Sequence, residues 1–220
     1  MIYLLKRTIL LIFIFSTTLS YSQDLTAELG FSLGSGLPSS EMEAKAGLGF
    51  QLDYRLMKRN FGVQFSMNYL QNPMNEEDLM AQLNASSANT NSWLSFSGML
   101  KLVGRISTVQ NKLLFDISAG FGVMQSYFPS QNYTYAQISP ENYIRVASEA
   151  PTSSSLVLGA GLRIHYRFRE DASVGISYDL QAADQNYSIV GTKTSGLTEQ
   201  VFSGIDLNYS NLLIGVNFFF

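Results

Sequence analysis

The chain contains no cysteine, which removes disulfide frameworks, thiolate nucleophiles and thiolate metal sites together. Histidine is nearly absent too: His165 alone could serve a Ser-His device. Only 14% of the residues are charged and the formal net charge is -3, with no basic patch of the kind that tracks nucleic acid, so no nucleic-acid partner is expected. Prolines number five. No GxGxxG stretch opens a helix, since Gly120–Gly122 and Gly159–Gly161 fall inside alternating segments. No metal-ligand spacing occurs, and no cofactor is expected. Mean hydropathy is only +0.07, unlike a protein built from long apolar membrane helices. What the chain has in quantity is 12 Tyr, 15 Phe and 17 Gly, a composition suited to β-structure with one face toward lipid.

The N-terminus has a logic of its own. Lys6 and Arg7 precede a short apolar core, Thr8 to Phe15, and Ser20-Tyr21-Ser22 places small residues at -3 and -1 before Gln23. This pattern predicts a secretory signal peptide over 1–22, with an apolar part shorter than the ~20 residues of a spanning helix. The mature chain is then 23–220, and losing Lys6 and Arg7 takes its formal charge from -3 to -5. With no cysteine after the cleavage point, a lipoprotein anchor is not expected.

Eight segments alternate with a period of two, the period at which a strand shows one set of side chains to each face. Their apolar faces are Leu25–Leu33, Ala46–Leu56, Phe61–Tyr69, Leu94–Ile106, Leu113–Tyr127, Leu156–Phe168, Ala172–Leu180 and Leu212–Phe220, each taken at every second residue. These faces hold no charge, and Gln125 is their one strongly polar member. The opposite faces hold Glu28, Lys45, Asp53, Arg55, Lys101, Arg105, Asp116, Arg163, His165, Arg167 and Asp179. In a soluble sandwich or lipocalin the apolar face would turn inward. An eight-stranded barrel, however, has room for side chains or one small ligand, and nearly fifty apolar side chains would overfill it. Small residues (Gly30, Gly47, Gly49, Gly120, Gly122, Gly159, Gly161, Gly175, Gly215) sit on the charged face, as a narrow lumen requires. The apolar face is therefore expected to point outward.

The connections alternate as well. Links near 34–44, 72–92, 128–154 and 181–209 are long, and those at 57–60, 107–112 and 169–171 are tight. That asymmetry matches long extracellular loops and short periplasmic turns, with both termini periplasmic. All five prolines fall in the long links, where none removes a ladder donor. Tyr54, Phe61, Phe115, Tyr166, Phe168, Phe218 and Phe220 cluster toward the tight turns; Tyr69, Phe96, Tyr127 and Tyr178 cluster toward the long links. Two aromatic girdles are expected. The sequence then closes on Leu212–Phe220, with Val216, Phe218 and Phe220 on its apolar face.

On these features the chain resembles the small eight-stranded outer-membrane β-barrels of Gram-negative bacteria: the OmpA transmembrane domain, OmpX and the PorT-like barrels. The resemblance covers the mature chain and rests on architecture. It implies an all-β fold: an eight-stranded antiparallel up-and-down transmembrane barrel over 23–220. It also implies a bacterial outer-membrane location in contact with outer-membrane lipid. Val216, Phe218 and Phe220 would then be the assembly signal read by the barrel assembly machinery.

Glu28, Asp53, Arg55, Lys101, Arg105, Asp116, Arg163, His165, Arg167 and Asp179 are expected to form a lumen ion-pair network, because a buried charge needs a partner. Four acids would face five bases toward the periplasmic half. The network reads either as a plug that closes the lumen or as a gated path for small ions or protons. His165 reads as a polar lumen residue and not as a catalytic base. In the long links, Asn75 is placed to N-cap a short helix through Leu83. Tyr127, Phe128, Tyr133, Tyr135 and Tyr143 form either a binding surface or a cover over the barrel mouth. The expected role is structural or surface-interacting, without catalysis, through an extracellular ligand on the long loops. The alternatives are an accessory component of a secretion machine working with secretion-system subunits, a narrow channel, or a lipid-modifying enzyme.

Overall fold

A strand with one apolar and one polar face is stable only when its backbone groups are paired on both edges and each face meets the right medium. The computed structural model describes residues 25–38, 44–108, 110 and 112–220; the signal peptide expected at 1–22 lies outside the described residues. Eight strands form the wall: β1 Leu25–Pro38, β2 Gly47–Lys58, β3 Phe61–Asn72, β5 Trp93–Ser107, β6 Leu113–Tyr127, β9 Thr152–Arg169, β10 Ala172–Lys193 and β11 Thr198–Phe219. Each pairs antiparallel with the next, and β11 pairs with β1 from Glu28–Phe219 to Pro38–Tyr209, closing the barrel. Closure leaves the wall no sheet edge at either end of the strand order.

The alternation resolves as expected. Phe31, Leu33, Leu100, Leu102, Ile117, Phe121, Leu162, Ile176 and Ile214 point outward and are exposed, whereas Glu28, Asp53, Lys101, Asp116 and Asp179 are buried inside. Gly120 and Gly122 face inward on β6, where a Cβ would stand 2.0 Å from the carbonyl oxygens of Leu100 and Gly98. Only glycine lets β6 lie this closely twisted against β5.

Three of the four long links carry secondary structure. The second holds helix α1, Glu76–Leu83, and strand β4, Ser87–Thr90. The third holds β7, Gln131–Thr134, and β8, Tyr143–Ser148. The fourth, read from the sequence as an open link over 181–209, is mostly ladder: β10 and β11 run on as a hairpin to a turn at 194–197. Beyond the barrel β10 pairs with β8, β8 with β7, and β7 with β4. The upper part of the wall thus continues into a folded sheet. Asn75 sits at the N-terminus of α1, but its side chain makes no capping bond; its amide donates to Asp78 Oδ2 instead.

Candidate functional site

The interior is built in layers. At the end nearest the tight turns, inward residues of five strands converge as ions. Arg105 on β5 clamps two carboxylates: its Nε and Nη2 donate to Asp116 Oδ1 and Oδ2 at 2.7 and 2.8 Å. Its Nη1 and Nη2 also reach Glu28, the latter at 2.9 Å from Oε2. Arg55 donates to Gln64 Oε1 at 2.6 Å and to Asp116 Oδ2 at 3.0 Å, and lies 3.5 Å from Glu28 Oε2. Arg163 crosses the lumen to Asp53 and donates to Asn217 Oδ1 at 2.9 Å. Gln51 and Gln64 donate to the other oxygen of Asp53 at 2.8 and 2.9 Å. Higher up, Lys101 is paired with Asp179 and is 0% exposed.

Four carboxylates (Glu28, Asp53, Asp116, Asp179) thus meet four cations (Arg55, Lys101, Arg105, Arg163), all buried. The fifth base of the expected network is elsewhere. Arg167 is half-buried and lies against Phe219, its guanidinium carbon 4.1 Å from the ring centroid. A flat, weakly hydrated guanidinium gains more there from the aromatic face than from crossing to an acid layer that is already neutral. Lys45 precedes β2 and is exposed.

His165 joins the acids sideways. Its Nε2 is 3.0 Å from Asp116 Oδ2 and its Nδ1 is 3.0 Å from Ser173 Oγ, and its ring stacks on Phe219. The line Ser173–His165–Asp116 has the order of a hydrolytic triad, but Ser173 and His165 are sealed from solvent. Asp116 is moreover held by two arginines. A nucleophile that no substrate can approach performs no acyl transfer. Among the described residues no three acidic or histidine side chains converge as metal ligands.

Above the ions lies an amide and hydroxyl layer. Asn68 Nδ2 donates to Ser97 Oγ at 3.2 Å, and Ser97 Oγ donates to Gln181 Oε1 at 2.9 Å. Above that the lumen turns apolar, which the polar-inside expectation did not foresee. Trp93, Phe128 and Tyr187 pack edge to face or tilted with centroids 5.4–5.8 Å apart. Leu70, Met99, Met124, Val157, Leu207 and Tyr209 surround them in one buried cluster. Tyr133 is buried in it, and Tyr135 and Tyr143 pack against it. The third-link aromatics therefore cover the mouth.

The signal for this second core was a change of phase. Along β10 the apolar residues are the outward Ile176, Tyr178 and Leu180, then the inward Ala183, Tyr187 and Ile189, with Asp184 turned outward. A strand leaving hydrocarbon for water inverts its apolar face.

At the top, Tyr143 donates to Glu199, while Lys193 donates to Glu141 Oε2 at 2.7 Å and lies 3.2 Å from Glu199 Oε1. The Tyr143 hydrogen bond, then that of Lys193, holds Glu199 below its ordinary range. The same bond to Glu199, followed by burial, raises the Tyr143 phenol. A depressed carboxylate stabilises the fold above its ordinary value of 4.5 and loses that contribution as pH falls through the lower folded value. Hydrogen-exchange protection of the β8–β10–β11 tip, corrected for intrinsic rates, should therefore be level near neutrality. It should drop on acidification, and Glu199→Gln should flatten that acid limb.

The closed eight-stranded wall, its exposed apolar belt and its buried ions are those of barrels that cross a bilayer. Neisserial surface protein A (NspA) aligns over 89% of this chain and 97% of its own at 9% identity and a TM-score of 0.50. A major outer membrane protein from Thermus thermophilus aligns over 88% and 99%, at 15% identity and a TM-score of 0.50. The fold is that of the small outer-membrane β-barrels. No family model and no curated protein matches the sequence of this barrel.

Proposed function

We propose that the barrel is an integral protein of the bacterial outer membrane with both termini periplasmic. Its lumen is closed, and it presents a folded β-platform at the cell surface for interaction, without catalysis. The observation that carries this reading is the stacking of a neutral ion layer beneath a continuous aromatic core. The first pairs each of its four carboxylates with a buried cation, and the second fills the mouth with Trp93, Phe128 and Tyr187, each 5% exposed or less. Outer-membrane lipid covers the apolar belt. The barrel assembly machinery engages the C-terminal segment, where Val216 and Phe218 of β11 and the following Phe220 are exposed beside the β1–β11 pairing. The extracellular ligand meets the β4–β7–β8–β10 sheet.

Planar-bilayer recordings of protein whose folding is verified by heat-modifiable gel mobility test the closed lumen. Flat current traces are expected, and discrete ohmic steps would overturn it.

A further inference from the structure

Positive and negative charge collect at opposite ends of the barrel. The long links over 34–44, 72–92, 128–154 and 181–209 carry ten acids against two bases. The tight turns over 57–60, 107–112 and 167–171 carry five bases against two acids. The lumen network uses none of these five, since its cations are Arg55, Lys101, Arg105 and Arg163. They form a separate basic rim just beyond the aromatic residues at the strand ends.

The rim is densest on the β6–β9 side, where two turns meet. The Arg167 N–H donates to the Lys112 carbonyl at 2.7 Å, one step beyond the Leu113–Tyr166 register pair. Cations from distant parts of the sequence are thereby set side by side. Lys112 is exposed and has no ion pair among the described residues. Arg169 ends β9 two residues further on, about 7 Å along the strand, with its side chain 69% exposed. Its partner Asp171 lies 3.0 Å away and is itself 60% exposed, a water-screened pairing that holds Arg169 weakly. Glu170, the other acid of this turn, is exposed to the same screening. Arg167 turns to the lumen mouth, where its guanidinium lies over Phe219 and its buried Nε lacks a hydrogen-bond partner. No carboxylate among the described residues pairs with it, so its charge adds to the field at this corner.

The outer surface beside these cations is apolar. Tyr166 and Phe168 alternate with them along β9, point out of the wall and are 48% and 53% exposed. Leu113 and Phe115, half-buried, continue that surface on β6. Aromatic rings at the interface with basic groups immediately beyond match the order in which a phospholipid presents its glycerol backbone and then its phosphate.

We propose that this corner binds the headgroup of an anionic glycerophospholipid from the inner leaflet. Lys112 and Arg169 hold its phosphodiester, and Tyr166 and Phe168 pack against the upper part of its acyl chains. The inference rests on the periplasmic placement of the tight turns proposed above. An anionic lipid is favoured because a zwitterionic headgroup carries a cation of its own, which the rim repels.

Native mass spectrometry of the barrel, folded in micelles as verified by heat-modifiable gel mobility, counts bound lipid directly. Titration with dioleoylphosphatidylglycerol should give a first adduct at lower concentration than dioleoylphosphatidylcholine does. Lys112→Gln and Arg169→Gln should each weaken that adduct by about fivefold, as expected for one basic residue near a lipid surface. Lys58→Gln removes the same charge three strands away from β6 and should leave the adduct unchanged. Inorganic phosphate in large excess should not compete. Equal binding of the two lipids, an equal loss from Lys58→Gln, or displacement by phosphate overturns the proposal. Labelling of a Lys58→Cys variant by an impermeant maleimide on intact cells would defeat the periplasmic placement and leave the lipid result standing.

Discussion

An Arg105→Met barrel is expected to lose about 3–5 kcal/mol of stability, read as a lower urea midpoint for unfolding from lipid vesicles, because removing one partner of a buried pair strands the other. Here one guanidinium serves two carboxylates, so its loss leaves both Glu28 and Asp116 short of donors in a layer whose charges otherwise cancel. Arg55 touches both acids but cannot supply the missing forked geometry. The diagnostic companion is Arg105→Met with Glu28→Gln. Restoring neutrality to the layer should recover part of the lost midpoint, whereas a purely steric role for Arg105 predicts no recovery. An unchanged midpoint for the single variant would show that water, not arginine, neutralises these acids.

Trp93→Ala is expected to cost a similar amount, about 3–5 kcal/mol as for other large-to-small aromatic truncations in packed cores, with loss of near-ultraviolet dichroism. Trp93 is 1% exposed and contacts rings from two other parts of the chain, so truncation opens a void that rigid strands cannot collapse to fill. Trp93→Phe should fall well short of the alanine effect. If alanine and phenylalanine behaved alike, the aromatic cluster would be decoration on a barrel held entirely by its ladders.

The barrel itself was legible because two simple constraints act on the same residues. Hydrocarbon tolerates no charge, so the outward faces of the eight alternating segments carry no charged residue and Gln125 alone is strongly polar, and the period of two followed. Lumen charge must be compensated, so Glu28, Asp53, Asp116 and Asp179 implied cations on facing strands. Which cation meets which acid was not legible: Arg163 and Asp116 are register neighbours, yet Arg163 crosses to Asp53 and leaves Asp116 to Arg105. Arg167 escaped the network because an inward aromatic, Phe219, stood closer than any free acid. The platform was hidden by its composition. Gln131–Thr134 and Ser87–Thr90 are short, polar edge-type strands whose pairing is specified by neighbours and not by alternation. The apolar upper lumen was hidden by a single question asked of every strand, namely which face is greasy, when the answer changes along the strand at about Ala183. Trp93, Met124 and Leu207 carry that second answer.

The 22-residue strands β10 and β11 run unbroken in sequence from membrane to tip, and this has a mechanical consequence. A load applied at the 194–197 turn pulls both strands in the same direction, so it is carried as tension along two covalent backbones and as shear across the ladders to β8, β9 and β1. Unzipping, in which rungs fail one at a time, is not the mode that such a load selects. Whatever grips the tip of the platform therefore pulls on the wall of the barrel itself, with no compliant tether between.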